Sequence, residues 1–283
     1  MPTYQALSAQ RRYDACSRSY DSSWYPALAS EYITVASLLP GQHVLDLACG
    51  TGLFSLLAKK AVGDKGTVTG IDVSEGMMAL AKEKAEREGL DIKWLYHDIA
   101  VMEGCKGLRE GGYDLIVCCL ALMLLDDSAS AVEQWTELLK PGGRLITDVP
   151  TEDSHRLDLT KMKVAEKMGI KFNYGGLWVK NMDTLIEIVE WAGLDIERCW
   201  RSEEYGSSKE HPSDSGAALF DEWVKMPSWE WLGKPGTRER ALSLFVEEWE
   251  SHAEPTGVVR DFYCLYIAVG KRVGGAEVRC YGA

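Results

Sequence analysis

The residues most able to do chemistry lie in the string V-L-D-L-A-C-G-T-G, positions 44–52. Its apolar half predicts a short strand, and Gly50, Thr51 and Gly52 form a glycine turn ahead of an apolar, helix-like segment. A glycine-rich turn between a first strand and a first helix lets the backbone approach a nucleotide closely. The spacing therefore predicts a nucleotide-like ligand at the start of that helix.

Two details of this turn disfavour a dinucleotide. Asp46 lies in the strand just before the turn, and Ser55 stands where the dinucleotide fingerprint has its third glycine. A fixed carboxylate would repel a pyrophosphate at this helix N-terminus by about 1–4 kcal/mol at close range. It would instead attract a cationic ligand such as S-adenosylmethionine (SAM), which carries an ammonium and a sulfonium group and no phosphate. A dinucleotide-dependent dehydrogenase is therefore disfavoured.

Further acidic residues end the next two predicted strands. Asp72 ends the second strand, where a carboxylate can accept hydrogen bonds from both ribose hydroxyls. The third strand ends in His97 and Asp98, and Asp98 could accept a hydrogen bond from an adenine amino group. Because the strand ends of an open α/β sheet share one crevice, the three carboxylates are expected to face one ligand. The alternative is that each acid caps a neighbouring helix.

The elements that would position these residues alternate between strand and helix. Strands are predicted at 44–48, 67–72, 92–98, 113–121 and 144–149, and helices at 24–39, 53–61, 74–88 and 128–139. Beyond Pro150 the patterns predict a helix at 183–193, a strand at 194–200 and a last strand at 260–272. This order indicates a doubly wound, mostly parallel, seven-stranded α/β sheet of the Rossmann-like type, with a helical cap inserted before the last strand.

The chain is expected to divide into six segments. They are N-terminal lid helices (1–40), a SAM-binding core (41–150), the second half of the core (151–202), a helical cap insert (203–255), the last strand (256–272) and a flexible tail (273–283). The insert contains four tryptophans: Trp223, Trp229, Trp231 and Trp249. They are expected to line a substrate pocket over the open face of the site, with at least two packing the insert's own helices instead.

Composition narrows the class of protein. The formal net charge of −12 disfavours nonspecific binding to nucleic acid or to an anionic membrane. The N-terminus lacks an apolar signal core and no apolar run reaches membrane-spanning length, so a cytoplasmic location is expected. The eight cysteines form no C-x-x-C pair, and the adjacent Cys118 and Cys119 are expected to act as small buried hydrophobes. No metal site is predicted.

Within residues 40–150, five strings match a known protein family in their order and spacing. They are V-L-D-L-A-C-G-T-G, G-I-D-V-S-E-G-M-M-A-L-A, H-D-I-A, Y-D-L-I-V-C-C-L-A-L-M-L-L-D-D and L-K-P-G-G-R-L-I-T. In these strings the chain resembles class I SAM-dependent methyltransferases, in the small-molecule group similar to ubiquinone/menaquinone-biosynthesis methyltransferases. It lacks the Asn-Pro-Pro-aromatic motif of methyltransferases that act on adenine or glutamine amino groups, which disfavours nucleic-acid and protein amide targets.

The resemblance implies roles for individual residues. The turn would contact the methionine part of SAM, Asp72 the ribose, and the backbone at Cys118 the amino group. Tyr13 and Tyr20 would cover the cofactor from an N-terminal lid. The full set expected at the cofactor is Tyr13, Tyr20, Asp46, Ala48, Cys49, Gly50, Thr51, Gly52, Asp72, Val73, Met77, His97, Asp98, Ile99 and Cys118.

Methyl transfer from a sulfonium needs alignment of the nucleophile and exclusion of water, and a base only if the nucleophile starts protonated. Asp148 and His155 are candidate bases, and Tyr20 could position a substrate hydroxyl. The alternatives are that His155 serves a loop helix and that Tyr20 packs the lid.

The expected function is transfer of a methyl group to a small organic molecule by in-line displacement. The alternatives are a SAM-binding cyclase or isomerase on the same fold and, less favoured, a catalytically dead binding module. The substrate and the accepting atom (O, N, S or C) stay open, as does the choice between monomer and homodimer.

Overall fold

The computed structural model describes residues 2–109, 112–170, 178–206, 208–226 and 229–273. The chain forms two compact units, each described by itself below. The first unit comprises Met1–Val149, Asn181–Trp200 and Tyr266–Ala283, and the second comprises Pro150–Lys180 and Arg201–Leu265. Of the expected flexible tail, all but Val273 lies outside the described residues. No helix in the described part of the chain is both long and apolar enough to cross a bilayer.

Nine strands are found in the described ranges. They are β1 (His43–Leu47), β2 (Thr67–Asp72), β3 (Lys93–Tyr96), β4 (Tyr113–Cys118), β5 (Leu139–Pro150), β6 (Leu194–Arg201), β7 (Lys209–Pro212), β8 (Val258–Asp261) and β9 (Leu265–Arg272). Seven of them form one sheet in the order β3-β2-β1-β4-β5-β9-β6. Every neighbouring pair from β3 to β5 is parallel, so the predicted doubly wound, mostly parallel sheet is confirmed.

The α-helices of the described ranges alternate with these strands. They are α1 (Tyr4–Tyr20), α2 (Tyr25–Ala36), α3 (Leu53–Val62), α4 (Glu75–Glu88), α5 (Ser128–Glu137), α6 (Arg156–Lys167), α7 (Met182–Trp191), α8 (Gly216–Trp223) and α9 (Arg238–Glu250). The ends of α4 show how the sequence sets them. The Ser74 hydroxyl accepts a hydrogen bond from the Met77 amide at 3.1 Å, and Gly89 ends the helix at a φ of +64°.

The central strands are apolar because helices cover both faces of a parallel sheet. In β1, Val44, Leu45 and Leu47 are fully buried, and so are Ile116 and Val117 of β4. Asp46 is the one charged residue in β1, and it too is buried. The strand therefore holds a carboxylate inside an apolar layer, where it needs a specific partner.

The second unit has its own core of aromatic side chains from α8 and α9. Phe220, Trp223, Phe245 and Trp249 are almost completely buried there, and Trp229 packs against them while Trp231 is partly exposed. At least two of the four insert tryptophans, Trp223 and Trp249, therefore pack the insert's own helices, as expected. The insert also contributes β7, which pairs antiparallel with β8, so it is not purely helical.

The last predicted strand is split into two. Residues 258–261 form β8, and the large sheet is joined only by 265–272. Between them the carbonyls of Phe262 and Cys264 accept hydrogen bonds from the backbone amides of His155 (2.8 Å) and Thr151 (3.1 Å). The carbonyls of residues 262 and 264 are therefore hydrogen-bonded to the loop that contains Thr151 and His155. An apolar sequence pattern alone does not reveal such bonds.

The fourth strand is shorter than predicted. It ends at Cys118 rather than at residue 121, because Leu120 has a φ of +57° and a 3₁₀ turn begins at Leu122. A leucine in the left-handed region is uncommon, so the chain bends sharply directly after the strand.

Candidate functional site

The glycine turn after β1 has a backbone that its sequence explains. Gly50 and Gly52 have φ values of +54° and +79°, which glycine adopts without strain. A Cβ at Gly52 would lie 3.1 Å from the side chains of Ala81 and Trp94, so the turn also packs closely on α4 and β3. Ala48 adopts a φ of +56° without being glycine, which marks a strained position at the strand end.

Asp72 fastens this turn to the neighbouring strand. One carboxylate oxygen accepts a hydrogen bond from the Gly50 amide at 2.8 Å, and the other accepts one from the Ser74 amide at 2.8 Å. Burial raises the pKa of Asp72, while these backbone donors oppose the rise. The side chain thus supports the loop before α4, as the capping alternative supposes, and it also faces a cleft.

That first cleft belongs to the first unit and spans about 710 Å³, a volume that includes its opening to solvent. Ten residues expected at the cofactor line it: Tyr13, Tyr20, Ala48, Gly50, Asp72, Val73, Met77, His97, Asp98 and Ile99. Nine further residues line it that were not expected at the cofactor: Thr3, Gln5, Ala6, Ala9, Cys119, Leu120, Ala121, Leu124 and Leu125.

A second cleft shares Ala48 and Gly50 of the turn with the first and spans about 460 Å³, a volume that includes its opening to solvent. The expected residues Asp46, Cys49 and Thr51 line it, together with Tyr20, Ala48 and Gly50, which line both clefts. Gly52 and Cys118 are not among the residues that line either cleft. Cys118 is a fully buried strand residue, whereas Cys119, the first residue beyond the strand, lines both.

Asp46 is held by the residue that replaces the third glycine of the dinucleotide pattern. Its carboxylate accepts a hydrogen bond from the Ser55 hydroxyl at 2.5 Å. Burial raises the pKa of Asp46 to about 7, against the effect of that hydrogen bond. A cation bound beside this carboxylate would favour its ionised form.

This shift makes a pH-dependent affinity testable. A cationic ligand should lower the pKa of Asp46, so binding should release a proton and tighten as the pH rises through about 7. We expect SAM affinity, measured by calorimetry, to rise about tenfold between pH 6 and pH 8. Asp46→Asn should flatten this profile, and an unchanged profile in that variant would assign the proton to another group.

Three contacts fasten α1 and its flanks to the first cleft. The amide and the hydroxyl of Thr3 both donate to Asp98 at 2.8 Å. Asp14 accepts hydrogen bonds from the Ser74 hydroxyl at 2.6 Å and from the Gly76 amide at 2.9 Å. Asp21 accepts one from Thr51 at 2.5 Å and pairs with Lys84 at 2.6 Å. Asp14 and Asp21 lie in the segment predicted as a lid. Their hydrogen-bond partners are distant in the chain, so no local sequence pattern predicts these contacts.

Asp98 is already engaged by these contacts. Its second oxygen accepts a hydrogen bond from the Ala100 amide at 3.0 Å, and its first is the one that Thr3 contacts. A ligand amino group at this carboxylate must therefore share it with Thr3 or displace Thr3.

The candidate catalytic residues differ in environment. Tyr20 stacks on Tyr25 at 4.1 Å between ring centroids, and burial raises its pKa well above the usual value. Asp148 is fully buried and lines neither cleft, accepting hydrogen bonds from the Tyr32 hydroxyl and from the Leu120 amide at 3.0 Å. Burial raises the pKa of Asp148 to about 6. Tyr32 also lines the second cleft, but the sequence analysis did not identify it, because a tyrosine in an amphipathic helix is expected to be a core residue.

His155 belongs to the second unit, at the start of α6. Its Nδ1 lies 3.4 Å from Asp158, and its ring packs edge-on against Tyr263 at 4.4 Å. These contacts fit a residue that serves the helix start. Within the described residues, no three His, Cys, Asp or Glu side chains are placed to hold a metal ion.

Sequence comparison places this site in a known domain type. Residues 44–143 match a family model described as a methyltransferase domain. Demethylmenaquinone methyltransferase of Bacillus cytotoxicus is 31% identical over 143 residues, 50% of this chain and 59% of that protein. Ubiquinone biosynthesis O-methyltransferase of Coxiella burnetii is 36% identical over 116 residues, 41% of this chain and 46% of that protein. The chain thus spans about half the length of the curated relatives it matches.

Solved structures share the fold at low sequence identity. The cyclase SpnF superposes with a TM-score of 0.58 at 18% identity and covers 97% of each chain. The YcgJ protein from Bacillus subtilis gives a TM-score of 0.56 at 15% identity, covering 87% of this chain and 98% of that one. Residues 44–143 therefore match a methyltransferase domain, and the resemblance of the chain to class I SAM-dependent methyltransferases is confirmed.

Proposed function

We propose that the protein is a SAM-dependent methyltransferase that acts on a small organic molecule by in-line displacement. The observation that carries this proposal is the first cleft, where Gly50 of the glycine turn, Asp72 and Asp98 line one pocket. The methyltransferase domain match covers the same glycine turn and both carboxylates.

The residues fit the chemical parts of SAM. Asp72 faces the cleft where a ribose would lie, and Asp98 lies beside Ile99 and Met77, which offer apolar surface to an adenine ring. Asp46 is the buried carboxylate on the side of the cationic amino-acid end. Tyr13 and Tyr20 of the α1 helix wall the cleft and exclude water. SAM supplies an activated methyl group, and the chain's main task is to orient the nucleophile towards it.

A binding experiment tests the cofactor. SAM and S-adenosylhomocysteine should bind one molecule per chain and raise the melting temperature, since a ligand at 100 times its Kd adds about 2.7 kcal/mol to the free energy of unfolding. NAD serves as the control ligand. Absence of SAM binding at near-millimolar concentration, alongside tight NAD binding, would refute the proposal.

A turnover experiment separates transfer from the cyclase or isomerase alternative. Release of S-adenosylhomocysteine with an accepted substrate identifies methyl transfer, whereas substrate conversion without that release identifies the alternative.

The roles of His155 and of residues 203–255 in substrate choice stay predictions. So do the division into six segments, the absence of a nucleic-acid partner, the cytoplasmic location and the monomer or homodimer state.

A further inference from the structure

A third cleft lies where two strands of the sheet begin. It is lined among others by Lys59, Thr67, Thr69, Lys93, Gly107 and Arg109. Thr67 and Lys93 are the first residues of the parallel strands β2 and β3, whereas Asp72 at the far end of β2 lines the first cleft. All residues that line the third cleft belong to the first unit, and none of them lines the first or the second cleft. The third cleft is therefore separate from the place proposed for the cofactor.

Lys59 brings a buried positive charge to this cleft. The residue lies in α3, and among the described residues its ammonium pairs with no carboxylate. It donates hydrogen bonds to the backbone carbonyls of Gly63 at 3.1 Å and Gly66 at 2.9 Å. Because an ammonium has three N–H donors, one donor is left after these contacts. A buried charge is screened less than an exposed one, so an anion in this cleft would stabilise it.

Lys93 and Arg109 place two more cations on the same cleft. The ammonium of Lys93 donates to the Gly107 carbonyl, and a Cβ at Gly107 would lie 3.1 Å from this nitrogen. Glycine at this position therefore allows the ammonium to come this close. The backbone amide of Arg109 donates to the Tyr113 hydroxyl at 2.9 Å, while its guanidinium has no hydrogen-bond or ion-pair partner among the described residues. Both side chains thus keep donors for a ligand.

The charges on the lining do not cancel. Asp64 and Asp91 also line the third cleft, and neither forms an ion pair within the described part of the chain. These two carboxylates are exposed, as are Lys93 and Arg109, so water screens all four charges alike. The buried ammonium of Lys59 is left without compensation. On a chain with a formal net charge of −12, this cleft thus has an excess of cations, which favours an anionic ligand.

We propose that the third cleft binds a phosphate group, held by Lys59, Lys93 and Arg109. The phosphate belongs either to a free inorganic phosphate compound or to a larger phosphorylated molecule such as a nucleotide, since both present the same group to these cations. This site goes beyond the proposed methyl transfer and does not depend on it, because it shares no lining residue with the first or the second cleft.

A phosphate fits the arrangement of the donors better than a carboxylate does. The three cations come from α3, from β3 and from the segment before β4, so they approach the cleft from different elements. A phosphate group offers three acceptor oxygens that point in different directions, whereas a carboxylate offers two in one plane. The planar guanidinium of Arg109 can also bind two phosphate oxygens at once.

Two anions of similar negative charge test this proposal. The protein is titrated calorimetrically with inorganic pyrophosphate and with citrate, whose acidic groups are carboxylates, in metal-free buffer at about 0.15 M salt. We expect pyrophosphate to bind with a Kd below about 1 mM and at least about tenfold more tightly than citrate. No pyrophosphate binding up to about 10 mM, or an equal affinity for citrate, overturns the proposal.

Variants locate the binding. Arg109→Gln and Lys93→Gln should each weaken pyrophosphate binding at least about tenfold, and both residues are exposed, so folding should not depend on them. Lys60→Gln is the matched control. It removes the same charge from the next position of α3, where Lys60 pairs with Glu88 at 2.7 Å and does not line the cleft, so affinity should stay within about twofold. Binding that survives Arg109→Gln and Lys93→Gln, or that Lys60→Gln weakens equally, overturns the proposal.

Two further measurements identify where and in what form the phosphate binds. The start of α3 at the glycine turn is the other place where backbone amides could hold a phosphate. Saturating SAM should leave pyrophosphate affinity within about twofold, and displacement by SAM overturns the proposal. If SAM itself does not bind, the proposed function fails while the variants still decide this site. With SAM present and Arg109→Gln weakening both probes, tighter binding of ADP than of pyrophosphate supports a larger phosphorylated molecule, and weaker binding supports a free phosphate compound.

Discussion

Asp72→Ala is expected to weaken SAM binding by roughly 10- to 150-fold or more. Hydrogen bonds from two ribose hydroxyls to a carboxylate contribute about 1.5–3 kcal/mol. The substitution also removes the acceptor of the Gly50 and Ser74 amides, each 2.8 Å from the carboxylate. The substitution thus removes the support of the glycine turn as well as a ligand contact. The decrease in SAM affinity should therefore exceed the contribution of the ribose hydrogen bonds alone. Calorimetry with SAM and with S-adenosylhomocysteine measures it.

Asp127→Ala is the matched control for this experiment. Asp127 caps α5 by accepting a hydrogen bond from the Ser130 amide at 3.0 Å and lines neither cleft. Its removal should cost about 1 kcal/mol of stability, the usual value of a helix cap, without altering SAM affinity. If Asp72→Ala behaves in the same way, keeping affinity within twofold while stability falls, then Asp72 is a structural residue only.

Trp249→Ala should destabilise the second unit by about 3–5 kcal/mol, the range for removing a large aromatic side chain from a core. Trp249 is fully buried in one cluster with Phe220, Phe245 and Trp223, so its removal would leave a cavity in this core. S-adenosylhomocysteine affinity should stay within about twofold, because every residue lining the first cleft belongs to the first unit. Denaturant unfolding followed by hydrogen exchange resolves the two units separately.

Trp231→Ala provides the comparison, since Trp231 is 38% exposed in the same insert. We expect a change within about 0.5 kcal/mol for this variant. A Trp249→Ala protein that loses S-adenosylhomocysteine binding while its first unit stays folded would show that the insert contributes to the cofactor pocket.

The glycine turn and the acids at the strand ends could be predicted because each is a local pattern. Gly50 and Asp72 follow from strand and turn chemistry within a few residues, and the structure places both on one cleft. Asp72 also shows that the capping and ligand interpretations are compatible, since its carboxylate supports the Ser74 loop and still lines the cavity.

The features that escaped prediction depend on distant partners. Tyr32 meets Asp148 across 116 residues and Thr3 meets Asp98 across 95, and neither pairing has a sequence signature. The cofactor contact expected at the backbone of Cys118 stays a prediction: the strand ends at Cys118, and the next residue, Cys119, is the one that lines the cleft. The last strand is likewise split because the loop amides of Thr151 and His155 donate hydrogen bonds to carbonyls of residues 262–264.

The fastening of α1 bears on the speed of ligand exchange. The helix walls the first cleft with Ala6, Ala9, Tyr13 and Tyr20, and Asp14 within it is tied to the loop that begins α4. We expect a ligand as large as a nucleoside to enter and leave this cleft mainly when these hydrogen bonds open. If the proposed methyl transfer takes place, we expect S-adenosylhomocysteine to depart slowly, so that the steady-state rate reflects the opening of this helix more than the displacement at carbon.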